Sequence, residues 1–229
     1  MIRALACLWL GSALALADGG MVAPPDESVA EYGQVAVIKH FAGVEELTIA
    51  AQFEATSGFA WIIPVPSRPE VDSALPDLFG ALWEHCRPVR RGGGFWCSSF
   101  APLGRYEGEL GGNVQKLDSG LVGDWEWRLF RTTEPDTLVR YLDSLGYELP
   151  PDLGPALDHY TDKGWEHFIV CRRREGANGH IVAHAGIRLT FESDSAVYPL
   201  RISRISSEEN PVILYVLAEH RQMFDGARL

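Results

Sequence analysis

QVAVIKHFAGVEELTIAAQFEA, residues 34–55, is the stretch that decides the fold. Two runs rich in β-branched and apolar side chains, 34–41 and 46–55, are separated by Ala42 and Gly43. Two such runs joined across a short turn that contains glycine are typical of a β-hairpin. The sequence therefore predicts an antiparallel pair of strands near the start of the chain.

Alternating apolar residues predict further strands. FAWIIPVP, residues 59–66, places its odd-numbered side chains on one face. Its prolines lack the N–H that a central ladder needs, so we expect this strand to end there or to lie at an edge. DWEWRLFR, residues 124–131, predicts a half-buried strand. Four more strands are predicted at 166–172, 186–192, 197–205 and 212–219.

Helical periodicity occurs in three places. The strongest signal starts at Thr133, the expected N-cap, and stops at Gly146. A shorter helix is predicted over 155–163. Another is marked by an apolar stripe made of Leu78, Phe79, Leu82 and Trp83. Because helices are segregated from runs of strands, we expect an α+β fold of mainly antiparallel sheet, with two or three helices packed against it.

Residues 1–17 predict export. Arg3 is the only charged residue there, an apolar run follows it, and Ala-Leu-Ala at 15–17 precedes Asp18. This arrangement is typical of a secretory signal peptide, and its apolar core is shorter than the roughly 20 residues of a membrane-spanning helix. We therefore expect cleavage before Asp18. The product is a single α+β domain over 18–229, periplasmic or extracellular, with no transmembrane segment.

The formal net charge of −11 argues against a nucleic-acid partner, since phosphate backbones repel an acidic chain. Basic clusters at 87–91 and 172–174 are interpreted as a solvated loop and a solvated strand end. The paired carboxylates Glu45-Glu46 and those at 208–209 are interpreted as solvated charges in turns.

Two cysteines are candidates for a disulfide. Cys86 and Cys97 flank a glycine-rich stretch in an irregular loop predicted over about 86–118. In an oxidising compartment a bridge between them closes a ring of about 12 residues and stabilises the fold by about 3 kcal/mol. Cys171 lies in an apolar strand and is expected to be a buried free thiol.

No sequence motif indicates catalysis, a cofactor or a metal. HExxH, GxSxG and a phosphate-binding Gly-Lys-Ser are absent from the sequence. His180 and His184 fall in a segment expected to be strand or loop rather than helix, and on a strand about 13 Å separates residues four apart, too far to share a metal ion. Ser98, Ser99 and the nearby His85 leave a hydrolase of unrecognised type as one alternative.

Three tryptophans are candidate binding residues. Trp125 and Trp127 share one face of a predicted strand. Such a pair either forms a flat platform for a sugar or peptide or fills the core. Trp96 lies in the glycine-rich loop and is the best candidate for an exposed ring. A carbohydrate-binding domain is therefore a second alternative.

FAWIIPVPSRPEV, residues 59–71, resembles a motif of the bacterial exported-protein family called domain of unknown function 2330. Three further segments fit that family in the same order: LDSLGYELP (142–150), YTDKGWEHF (160–168) and VYPLRI (197–202). The resemblance implies export and one domain, and it carries over no catalytic residue and no cofactor. The leading hypothesis is a non-catalytic exported domain that binds a protein or glycan partner in the cell envelope.

Overall fold

The computed structural model describes residues 6–9, 20–55, 58–75, 78–86, 115–123, 125–173, 181–205 and 211–220. Its strands, in chain order, are β1 (Ala6–Trp9), β2 (Met21–Val22), β3 (Val29–Phe41), β4 (Val44–Ala55), β5 (Ala60–Val65), β6 (Glu70–Ser73), β7 (Gln115–Val122), β8 (Trp125–Arg131), β9 (His167–Arg173), β10 (Ile181–Glu192) and β11 (Val212–Ala218). The helices are α1 (Leu78–Cys86), α2 (Pro135–Ser144), α3 (Leu153–Thr161) and a 3-10 helix, Leu200–Ile205.

The described strands form two sheets. A six-stranded sheet has the order β1-β11-β3-β4-β10-β6, and a five-stranded sheet has the order β2-β5-β9-β8-β7. Neighbouring strands are antiparallel except for β3 and β11, which run parallel. The predicted α+β class with mainly antiparallel sheet is confirmed.

The predicted hairpin is β3 and β4. Phe41 pairs with Val44, so the loop consists of two residues. Both take the left-handed conformation, with φ 52° at Ala42 and 78° at Gly43. Positive φ at both central residues marks the mirror-image turns whose twist matches that of the flanking strands.

Both faces of each sheet are buried, so the fold has four layers. The main core lies between the sheets, where β5 contributes the face predicted from the sequence: Phe59, Trp61, Ile63 and Val65. The outer face of the five-stranded sheet packs against α2 and α3, through residues such as Ile62 and Leu142. The outer face of the six-stranded sheet packs against α1 through Val37 and Phe79. The order of layers is helix, sheet, sheet, helices.

The prolines of β5 have the predicted position. The strand ends at Val65, and its other neighbour β2 pairs only as far as Trp61. The backbone nitrogen of Pro64 therefore faces the side of β5 that has no described partner at this position. The N–H that proline lacks is not needed there. The end of α2 is also as predicted, because Gly146 follows it with φ 83°. Its N-cap is Glu134 rather than Thr133, with the Thr132 hydroxyl accepting a hydrogen bond from the Glu134 amide.

Two local predictions are wrong. Residues 197–205 form no strand: 193–199 have no regular secondary structure, with Ala196, Val197 and Tyr198 packed against the core between the sheets, and the 3-10 helix follows. Tertiary contacts decide this segment, since the Val197 amide bonds to Glu45 and the Ile202 amide to the Tyr160 hydroxyl. The irregular loop predicted over about 86–118 is too long, because β7 already begins at Gln115. Its remainder, 87–114, lies outside the described residues.

Candidate functional site

The outermost strands of a sheet expose unpaired backbone groups, and proteins protect such edges with short strands, charged side chains or bulges. The described strands leave four edges: β6 and the β1/β11 side of one sheet, and β2 and β7 of the other. An edge without these devices is a candidate for pairing with another chain.

Three of the four edges are protected. β6 has only four residues, EVDS, and the Asp72 carboxylate accepts a hydrogen bond from Arg188 of β10. β2 has only two residues. β7 carries a register shift between Lys116 and Asp118, and the Asp118 carboxylate lies 3.6 Å from the Arg68 guanidinium. These strands are poor templates for a further strand.

The fourth edge, that of β11, has none of these protective features. β11 has seven residues, VILYVLA, with no charge, no proline and no break in register against β3. Its free side is covered by β1, which pairs antiparallel over four residues, from Ala6 opposite Val216 to Trp9 opposite Ile213. All of β1 lies within the predicted signal peptide, residues 1–17.

The side chains of β11 already have partners within the domain. Val212, Leu214 and Val216 point into the core between the sheets. Ile213, Tyr215 and Leu217 pack with the residues beneath α1. The side of β11 that pairs with β1 therefore presents a row of backbone donors and acceptors, and apolar side chains lie above and below that row.

Tight packing is present at Gly20, just after the predicted cleavage point. Gly20 is buried, has φ 70°, and accepts a hydrogen bond from the Ile62 amide through its carbonyl. A Cβ on Gly20 would lie 2.6 Å from Cγ1 of Ile202. Met21 and Val22 then join the five-stranded sheet. None of these contacts involves residues 1–17, whereas all of β1 lies within them.

The structure places two of the predicted tryptophans in the core. The side chains of Trp125 and Trp127 are 1% and 8% exposed, and both lie between the sheets. Trp125 packs against the rings of Phe53, Phe59 and Trp61. Neither ring offers a free face to a sugar. Trp96 lies outside the described residues.

Cys86 and Cys171 are free thiols. Cys86 is half-buried at the end of α1, and Cys171 is fully buried, where burial raises the pKa of its thiol. No disulfide is present among the described residues, and Cys97 lies outside them. The Cys86–Cys97 bridge stays a prediction.

Metal-ligating side chains do not cluster in the part of the chain that the structure describes. His184 belongs to β10, which begins at Ile181, five residues before the strand predicted at 186–192, and His180 lies outside the described residues. None of the described helices is both long enough and apolar enough to cross a bilayer.

Several polar residues in the core were missed by the sequence analysis. The interpretation of Glu45 as a solvated charge is wrong: it is 0% exposed, and burial raises the pKa of its carboxyl to about 8. A register shift between Glu31 and Gly33 puts both Glu31 and Gln34 on the inner face of β3. The Tyr198 hydroxyl donates to Oε1 of Gln34. The acidic pair at 208–209 lies outside the described residues.

Comparison with known families decides the relationship that the motifs suggested. A family model described as an uncharacterized protein conserved in bacteria (DUF2330) matches residues 12–227. The chain belongs to the DUF2330 family. Neither the curated proteins nor the solved structures gave a match. Among the described edges of this DUF2330 chain, that of β11 lacks the protective devices of the other three.

Proposed function

We propose that the protein is an exported, non-catalytic interaction domain of the cell envelope that takes up one extended strand from a partner protein along β11. The single observation that supports this proposal is the contrast between the edges. Three described edges carry protective devices, whereas β11 carries none and, among the described residues, is covered by 6–9 alone. Removal of the signal peptide uncovers it.

The pairing of β1 defines the chemistry of the partner. The β1 strand adds antiparallel to β11 in regular register, so the edge accepts an antiparallel strand without rearrangement. In strand addition, backbone hydrogen bonds supply affinity, and alternate side chains supply specificity. Because β11 is apolar and uncharged, the fitting partner segment is extended and apolar.

Glycan binding and hydrolysis are supported less well. The burial of Trp125 and Trp127 leaves Trp96 as the remaining sugar-binding candidate of the sequence analysis. The hydrolase hypothesis used Ser98 and Ser99, which lie outside the described residues, and His85, whose Nδ1 bonds to the Ala81 carbonyl within α1. In the same exported state we also propose the Cys86–Cys97 disulfide.

Photo-crosslinking in an exporting host tests the proposal. A photoreactive amino acid replaces Leu217, which lies in β11 one residue beyond the β1 pairing. The expected product is one adduct between the processed chain and a specific envelope protein. Mass spectrometry identifies the linked segment, which we expect to be extended and apolar. The same photoreactive residue at Val71 of the protected β6 edge serves as the matched control and gives no adduct.

A second variant shows whether the adduct depends on strand pairing. Ile213→Lys places a charge beside the β11 edge, on the face that packs beneath α1, and Val71→Lys places one on β6, on the face that packs against the core between the sheets. We expect the Leu217 adduct to disappear with Ile213→Lys and to persist with Val71→Lys, while both variants keep a cooperative thermal transition. An adduct of twice the chain mass means that a second copy covers the edge, and absence of any adduct means that the edge is unoccupied. Either result contradicts the proposal.

A further inference from the structure

A cluster of two arginines and two tyrosines lies on the outer face of the five-stranded sheet, where α2 ends. Arg128 comes from β8, and Arg172 comes from the neighbouring strand β9. Arg172 pairs in register with Glu126, which lies two residues before Arg128 in β8. Tyr141 comes from α2, and Tyr147 follows the end of that helix. The sequence analysis took Arg172 for part of a solvated strand end, but the structure half-buries it.

Arg128 is the fixed part of this cluster. Its side chain is 8% exposed. Its Nε and Nη2 donate to Oε1 of Glu126 over 3.2 and 2.7 Å, and its Nη1 donates to the Tyr141 hydroxyl over 3.0 Å. A guanidinium has five N–H donors, so Arg128 keeps donors beyond these bonds.

Tyr147 supplies an unused donor. Its side chain is 5% exposed, the side chain that approaches its hydroxyl is that of Arg172, itself a donor, and no acceptor for the hydroxyl proton lies within hydrogen-bond distance among the described residues. Burial raises the pKa of this phenol, while the nearby guanidiniums of Arg172 and Arg128 oppose the effect. The hydroxyl is therefore protonated at neutral pH and has a proton to donate. A buried donor without an acceptor costs about 1–3 kcal/mol.

Donors exceed acceptors throughout the cluster. Among the described residues, two guanidiniums and the Tyr147 hydroxyl face one carboxylate, that of Glu126, which pairs in register with Arg172 and is already engaged by Arg128. The formal charge of these residues is +1, in a chain whose net charge is −11. Glu126, Tyr141 and Arg172 are only half-buried, so the cluster reaches the solvent along one side.

We propose that Arg172, Tyr147 and the remaining donors of Arg128 bind an oxyanion of the phosphate class. Guanidinium groups match the geometry of phosphate oxygens, and several oxygens on one anion can accept from all three side chains. The ligand is either free phosphate or the phosphate of a lipid headgroup. This site lies on a different sheet from the β11 edge, so it stands or falls independently of the proposed strand addition.

Calorimetric titration of the processed chain with inorganic phosphate tests the site. Tyr147→Phe removes only the hydroxyl, and Arg172→Gln removes one charge. We expect each to weaken phosphate binding by about tenfold or more, as for a hydrogen bond to a charged group. Arg131→Gln is the matched control, because Arg131 is an exposed arginine on the same sheet, paired with Glu166. It should leave the affinity unchanged.

Vesicles distinguish the two sources of phosphate. Sedimentation with phosphatidic acid vesicles reveals a headgroup ligand, and phosphatidylcholine vesicles serve as the reference. Tyr147→Phe should abolish sedimentation with the phosphatidic acid vesicles. Binding of phosphate alone assigns the free anion, and binding of the vesicles assigns the lipid. Because Tyr147→Phe retains the ring, its thermal midpoint should stay close to that of the parent. Absence of both forms of binding, or equal binding by Tyr147→Phe and the parent, would overturn the proposal.

Discussion

The backbone amide of Val197 donates a hydrogen bond to Oε2 of Glu45 over 2.8 Å, in the core between the two sheets. This contact ties the irregular segment 193–199 to the start of β4. The other carboxylate oxygen, Oε1, has no partner among the described residues. Burial without a counter-charge explains why the pKa of Glu45 rises to about 8.

The raised pKa of Glu45 predicts that stability falls as the pH rises. Between the ordinary value of 4.5 and about 8, the folded chain holds a proton on Glu45 that the unfolded chain releases. The contribution to the free energy of unfolding is complete below pH 4.5. It decreases by up to about 1.4 kcal/mol per pH unit, until Glu45 ionises in the folded state near pH 8.

Urea unfolding at pH 5 and pH 8 measures this effect. Glu45→Gln should remove most of the difference, because the amide keeps an acceptor for the Val197 amide and cannot ionise. Glu46→Gln is the control, since Glu46 is partly exposed and close to Lys39. If Glu45→Gln and the parent lose the same stability between the two pH values, Glu45 is ionised in the fold.

Trp61 is expected to be a principal stabilising residue of the core between the sheets. It is 1% exposed and packs against Trp125. Trp61→Ala should lower the free energy of unfolding by about 3–5 kcal/mol. Leu75→Ala, at a residue that is 57% exposed, should change it by less than about 0.5 kcal/mol. A thermal midpoint unaffected by Trp61→Ala is incompatible with this core.

Gly20→Ala separates steric exclusion from backbone strain. Both Gly20 and Gly43 have positive φ, 70° and 78°, so alanine at either costs about 1–2 kcal/mol. Only at Gly20 does the new Cβ meet other atoms, Cγ1 of Ile202 at 2.6 Å and the Ile62 carbonyl oxygen at 2.9 Å. We expect Gly20→Ala to cost about 1–3 kcal/mol more than Gly43→Ala. Chemical denaturation compares the two variants, and equal costs would show that Gly20 is not packed against Ile202.

The proposed Cys86–Cys97 disulfide is tested by peptide mapping without reduction. Protein collected from the exporting host should yield one linked pair and leave Cys171 unmodified, because Cys171 is fully buried. Reduction should lower stability by about 3 kcal/mol. Cys171 joined to either partner, or three free thiols, speaks against the pairing.

Local sequence patterns predicted much of this fold because each pattern reflects a physical requirement of the residues that form it. The two-residue turn at Ala42 and Gly43 requires positive φ, and glycine at the second position marks it. The alternating face of β5 emerged because period-two spacing buries every second side chain. Gly146 ended α2 through its left-handed conformation. These signals depend on neighbouring residues alone.

Long-range contacts account for what the sequence did not reveal. The segment 197–205 has the composition of a strand, but Glu45 and Tyr160, distant in sequence, bond its amides instead. β7 was missed because an edge strand such as QKLDSGLV carries the charges and glycine that also mark loops. The β11 edge emerges only from the strand order, since parallel pairing with β3 joins opposite ends of the chain.

The central claim is that export removes residues 1–17 and with them the strand that covers β11. The amino-terminal sequence of the protein purified from an exporting host tests it most directly, read together with its intact mass. We predict a chain that begins at Asp18 in the exported fraction. An exported or cellular product that still begins at Met1, with β1 retained, would contradict the account.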